Sequence, residues 1–255
     1  MPESAAPAES LNAAPKERLI APLWHTIVFL ILILGNSYAS FYVSRRFVAT
    51  GAAAAGPSLA ARLLTYTSTI VMEWVLFLYV YLGMRARGET VRHRINARWK
   101  SASDVWRDIS IGMGVWIAML IVAAIMTLPF RSVGNEGAKV VTQLVPHVLL
   151  ELPVWAVLTA TAGFCEEFVF RGYLLEQFRR MTGSATAGIA IQAVIFGLAH
   201  GYQGWVHMAA IVGIGLVLGS VAWGRKSLAP GMFAHGWMDF SSGVGIYIAH
   251  LKHLM

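Results

Sequence analysis

Three short groups of residues in this chain of 255 have types and spacings that can do chemistry. The first lies in FCEEFVFRGYLLEQF, residues 164–178, where Glu166, Glu167 and Arg171 stand in an otherwise apolar run. Charged side chains within a membrane helix cost about 2.5 to 3.5 kcal/mol each to insert, so they usually have a function or a partner. On a helix, Glu167 and Arg171 are four apart and share a face, the geometry of an ion pair. Glu166 points about 100° away and is left free. It is the candidate general base, with Glu167 and Arg171 as its support. The second group closes SATAGIAIQAVIFGLAH with Phe196 and His200, and the third is HGWMD, with His235 and Asp239; each pair is four apart and faces one way. Taken singly, each group also reads as packing: an ion-pair cluster between helices, an interfacial or satisfied histidine, a hydrogen-bonded His and Asp.

Composition sets the elements that must position these groups. Hydrophobic residues are 57% of the chain and charged ones only 13%, against about a quarter charged in a soluble domain. A charged shell around a core is therefore out of reach, which excludes a disordered chain, a disulfide scaffold and an ordinary cytosolic enzyme. At about 20 residues per span, the apolar content is enough for roughly seven helices. The expected fold is an all-α, polytopic transmembrane bundle with helices near 20–43, 62–84, 109–129, 153–178, 184–201, 204–223 and 227–250. Pro146 and Pro153 are expected to separate a short piece, 144–152, from the fourth span. Residues 1–18, rich in Ala, Pro, Ser and Glu, read as a disordered tail, and the 51–56 GAAAAG tract reads as loop. Cys165 is the single cysteine, so no intrachain disulfide forms.

The net charge of +7 speaks of topology. Lys and Arg sit between apolar runs and form no stripe of the kind that grips nucleic acid, so no nucleic-acid partner is expected. Thirteen of the twenty basic residues fall in the tail, the 85–100 linker with Arg107, and the pairs Arg179/Arg180 and Arg225/Lys226. That bias predicts a cytoplasmic N-terminus. Trp24, Trp99, Trp106, Trp205 and Trp223, near predicted span ends, read as interfacial anchors. Glu73 in the second span reads as structural support that pairs within the bundle or extends a polar cavity; His207 reads as interfacial, and Glu151 as solvated near the outer surface.

Depth joins the three groups. Counted by helical rise from the cytoplasmic ends, Glu166, His200, His235 and Asp239 fall about 12 to 24 Å deep, in one central layer. Unpaired charge there is costly, so the site would have to hold water or a polar ligand.

EExxxR (Glu166, Glu167, Arg171), FxxxH (Phe196, His200) and HxxxN/D (His235, Asp239), in this order on successive membrane helices, resemble the CAAX protease and bacteriocin-processing family of intramembrane endopeptidases. The resemblance covers roughly residues 148–245. It implies a helical bundle that hydrolyses peptide bonds of a protein or peptide substrate met at the lipid bilayer; in the eukaryotic members that substrate is a prenylated CAAX protein. It implies that Glu166 and His200 activate the attacking water, that His235 and residue 239 stabilise the oxyanion, and that Glu167 and Arg171 hold the first motif. Residues 148–250 would then be the catalytic core and 19–147 the N-terminal transmembrane helices. The prenyl-protein proteases have Asn where this chain has Asp239. An ionised carboxylate cannot donate to an oxyanion, so Asp239 would be protonated, orient His235 or help to bind a cation. The departure fits a bacterial-type member, in the inner membrane, with a different substrate. A metal-independent mechanism with no cofactor is expected; the alternative is zinc held by Glu166, His200 and His235, with water as the fourth ligand. Two further classes compete. A non-catalytic immunity factor or scaffold of the same fold could lose these residues freely, and a proton-coupled transporter would show related halves, of which the sequence has no sign.

Overall fold

Helices begin where the sequence supplies caps. Ser58 accepts from the Ala61 amide at the start of α2 (Leu59–Arg85), Thr90 from His93 at α3 (Val91–Ile95), and Ser184 from Ala187 at α7 (Ala185–Ala199); each satisfies a donor that the first turn leaves open. The computed structural model describes residues 17–49, 56–130 and 142–252. Its other long elements are α1 (Leu23–Ala49), α4 (Ala102–Thr127), α5 (Leu152–Glu167), a π-helical turn (Phe168–Leu174), α6 (Leu175–Thr182), α8 (Trp205–Arg225) and α9 (Ala229–Leu251). All seven expected stretches are helical. The third starts at Ala102 and not near 109, because the Asp104 carboxylate accepts from the Ser101 amide and closes the first turn there. Pro153 does not break the fourth: it occupies the first turn of α5, where its missing N–H costs nothing. The tail, apart from Glu17 and Arg18, and the 51–55 part of the GAAAAG tract lie outside the described residues.

Five helices among the described residues are long and apolar enough to cross a membrane: Leu23–Val43, Leu59–Arg85, Ala102–Phe130, Leu149–Thr182 and Trp205–Arg225. Ala185–Ala199 is a shorter apolar helix. The outward faces carry Ile31, Leu64, Val71, Ile121 and Ile125, all largely exposed, as suits helices bathed in lipid. Trp24, Trp99, Trp106, Trp205 and Trp223 are exposed near helix ends, the place of interfacial anchors.

The most extensive packing pairs α7 with α8, α9 with α5 and α4, α4 with α8, and α2 with α5. Small residues set the closest approach. A Cβ added at Gly163 on α5 would stand 2.7 Å from the Met232 carbonyl and 2.8 Å from the Gly236 amide of α9, so only a glycine lets these two backbones touch. The segment before α1 is tied to α6 by Gln177, which accepts from the Ile20 and Ala21 amides and donates to the Ala21 carbonyl and the Thr26 hydroxyl.

Charges expected on one face do meet at one end of the bundle. Arg94 pairs with Glu89 and Glu176, Arg180 with Glu89 and Glu176, Arg225 with Asp108, and Arg179 with Glu176 and Glu17. The Arg179 guanidinium holds the exposed Glu17 carboxyl below the usual carboxylate range. Glu151 is a correction: it is fully buried, not solvated. Its carboxylate accepts from Arg62 Nε at 2.5 Å and from the His147 and Val148 amides at 2.7 and 2.9 Å, because a buried carboxylate needs every lone pair answered.

Candidate active site

The first motif straddles a change of helix type. α5 ends at Glu167, and the next seven residues, all buried, form the π turn before α6 resumes. π turns are rare and often mark functional positions. The ion pair expected from regular helical spacing is nevertheless present, with Arg171 Nη1 2.9 Å from Glu167 Oε1 and both side chains fully buried. The Arg171 guanidinium also lies over the Phe196 ring at 4.2 Å, a cation–π contact strengthened by the absence of water. Glu166, the residue read as free, points elsewhere; its Oε2 is buried and has no hydrogen-bond partner in the protein.

Two histidines face that oxygen. His200, just past the end of α7, donates Nδ1–H to the Phe196 carbonyl at 2.8 Å; a carbonyl only accepts, so the bond fixes the tautomer and leaves Nε2 free. This is the physical content of FxxxH: the phenylalanine's ring packs on Arg171 and its carbonyl orients the histidine. On α9, His235 holds Nδ1 3.0 Å from Glu167 Oε1 and turns Nε2 the other way. Glu166 Oε2 stands 3.9 Å from His200 Nε2 and 3.8 Å from His235 Nε2. Those separations are too long for direct hydrogen bonds and suit one bridging water. Asp239 Oδ2 lies 3.6 Å from His235 Nε2, and its side chain is 42% exposed.

All four residues singled out for chemistry thus come together, with Glu167, Arg171 and Phe196 behind them. Two cavities meet at Glu166 and His200. One, of about 590 Å³, is lined by the α1 and α2 residues Asn36, Ser40, Ser68 and Glu73; the other, of about 400 Å³, runs inward past His235 and Asp239. His207, near the start of α8, also lines this cavity. One relationship escaped the sequence: Glu167 serves His235 as well as Arg171, a contact between residues 68 positions apart. Glu73 lines the cavity with Glu166, the second of the two roles that its place in an apolar span suggested. Among the described residues, no group of three or more His, Cys, Asp or Glu side chains is arranged as a metal-binding cluster.

Residues 148–241 match the family model of the Rce1-like type II CAAX prenyl endopeptidases, as the three motifs led us to expect. No curated protein and no solved structure matches the chain. With this match and five apolar helices of spanning length, the chain is an integral membrane protein.

Proposed function

We propose that this protein is a membrane-embedded endopeptidase that hydrolyses a peptide bond with a water activated by Glu166 and His200. The observation that carries the reading is the convergence of two imidazole Nε2 atoms on one carboxylate oxygen, with each ring's Nδ1 held from behind. Glu166 takes a proton from water as the oxygen attacks the scissile carbonyl, and His200 Nε2 accepts a hydrogen bond from the same water. His235 Nε2–H, when the ring carries its second proton, donates to the oxyanion that forms. Glu167 keeps that ring in place. Asp239, on the cavity side of His235, completes the oxyanion site when it carries a proton.

The substrate is a protein or peptide tail at the membrane, CAAX-like or otherwise lipidated; the two cavities meeting at Glu166 suit chain on either side of the cleaved bond. The N-terminus lies in the cytoplasm, on the side of the basic loops, and the membrane is the bacterial inner membrane. Zinc is the competing activator: Glu166, His200 and His235 would hold it, and it would supply a hydroxide at neutral pH. The deciding experiment is proteolysis of peptides and prenylated peptides by the purified protein in detergent, comparing wild type with Glu166→Gln, each with and without a zinc chelator. Cleavage lost in the variant and kept under chelation supports the glutamate mechanism. Loss under both conditions moves the reading to zinc, and a variant as active as wild type removes Glu166 from the chemistry.

A further inference from the structure

The side from which a substrate reaches Glu166 follows from how far along each helix the cavity linings run. Arg18, Arg85, Arg179, Arg180, Arg225 and Lys226 mark the basic end of the bundle, where α1, α4, α7 and α9 start and α2, α6 and α8 finish. The lining of the two cavities that meet at Glu166 begins at Ile33 on α1, Met119 on α4, Phe196 on α7 and His235 on α9; on helices running the other way it ends at Leu76 on α2 and Ile214 on α8. At the rise of an α-helix, those limits stand about 9 to 26 Å from the basic end. From there both cavities extend only toward the far end. The sequence is divided in the same way. The basic half of α1 reads IVFLILIL (27–34) and its far half NSYAS (36–40); the basic half of α2 reads VLFLYVYL (75–82) and its far half TYTST (65–69). Asn36, Thr65, Ser68 and Thr69 are exposed and line the larger cavity, as polar side chains at membrane depth do where water reaches them.

Toward the basic end the way is shut. Phe29, Val80, Met84 and Tyr173 are fully buried there. His25 Nε2–H donates to the Tyr79 carbonyl at 2.9 Å and Nδ1 meets the Tyr173 hydroxyl at 3.2 Å, which ties α1 to α2 and to the π turn. The Leu228 amide donates to the Ile95 carbonyl at 3.0 Å and pins α3 beside the start of α9. The pocket of about 200 Å³ near Arg94, Trp223 and Lys226, and the groove of about 680 Å³ between α4, α5 and α9, contain none of Glu166, His200, His235 and Asp239. We propose that the substrate enters from the face opposite the basic loops, the outer face of the membrane. Its class is then an exported or membrane-anchored polypeptide whose cleaved segment lies outside the cytoplasm. The inference rests on reading Glu166 as the base and the basic end as cytoplasmic.

Thiol labelling in sealed membrane vesicles tests the side without a substrate. In a Cys165→Ala background, Ser40→Cys and Ser68→Cys on the cavity wall and Arg98→Cys in the basic linker each meet a membrane-impermeant methanethiosulfonate, in right-side-out and in inside-out vesicles. The two cavity cysteines should react only in right-side-out vesicles, and Arg98→Cys only in inside-out ones. Cavity cysteines that react from the same side as Arg98→Cys, or from neither, overturn the proposal, as does a reversed pattern with Arg98→Cys reached only from outside. The peptide assay in the same vesicles separates this inference from the reading beneath it. Cleavage of an added, membrane-impermeant peptide by right-side-out vesicles, lost in Glu166→Gln, supports both. Cleavage confined to inside-out vesicles and lost in Glu166→Gln defeats this inference alone; cleavage that persists in Glu166→Gln defeats the reading of Glu166, while the labelling still reports the side of the cavity.

Discussion

His235 on α9 is held by Glu167 on α5: Nδ1 lies 3.0 Å from Glu167 Oε1, the same oxygen that stands 2.9 Å from Arg171 Nη1 in an ion pair. One buried carboxylate thus neutralises an arginine and orients an imidazole. The second glutamate of the motif therefore does more than brace the first helix; it links the helix that carries Glu166 to the helix that carries His235 and Asp239.

Removing that link should separate stability from catalysis. Glu167→Ala leaves the buried Arg171 without a counter-ion and should cost about 3 to 5 kcal/mol. Adding Arg171→Met should restore much of the thermal stability in detergent, yet peptide cleavage should stay low because His235 remains unheld. A double variant as active as wild type would show that the His235 contact is incidental.

Phe196 and His200 should part in the same way. Phe196→Leu removes the ring beneath Arg171 and should lower stability by about 1 to 2 kcal/mol. The bond that orients His200 is to the main-chain carbonyl, so it survives and cleavage should fall less than about tenfold. His200→Ala should cost about 10²- to 10⁴-fold in kcat. Equal losses in the two variants would contradict this division of roles.

At position 239 the direction of the effect identifies the role. If the group donates to the oxyanion, Asp239→Asn should keep or raise the cleavage rate, since the amide always carries a donor, and Asp239→Ala should lose about 10²- to 10³-fold. A severe loss in Asp239→Asn would mean that negative charge at this position is what matters.

Packing at Gly163 sets the distance between the two halves of the site. In Gly163→Ala the new methyl meets main-chain atoms of Met232 and Gly236, which cannot swing aside as a side chain does. Overpacking of this sort costs about 1 to 3 kcal/mol, and a shift of about 1 Å in α9 can cost a hundredfold in rate. Melting temperature and kcat measured together test this: a variant with both unchanged would mean the helices part without moving His235.

Chelation should leave the activity of the purified protein intact, with less than one zinc per chain by elemental analysis. Loss on chelation that zinc alone restores would assign Glu166, His200 and His235 as ligands.

The sequence by itself determined the all-helical membrane bundle, because continuous apolar runs of about 20 residues fit helical spans and not the short alternating strands of a barrel. It also singled out the candidate site residues, since Glu166, Glu167, Arg171, His200, His235 and Asp239 stand out against apolar helices where ionisable groups are costly. The Glu167–Arg171 pair was legible because it is local, four residues along one chain. Contacts across helices were not. Which nitrogen of His235 meets Glu167, how Glu73 on α2 comes to line the cavity, why Glu151 is buried against Arg62 and how His207 reaches the cavity depend on the rotation and crossing of whole helices. Spacing along one helix says which residues share a face, but not which neighbour that face meets. That was decided by tertiary packing, where glycines such as Gly163 allow backbones to touch, and by the π turn after Glu167, which no regular helical period predicts.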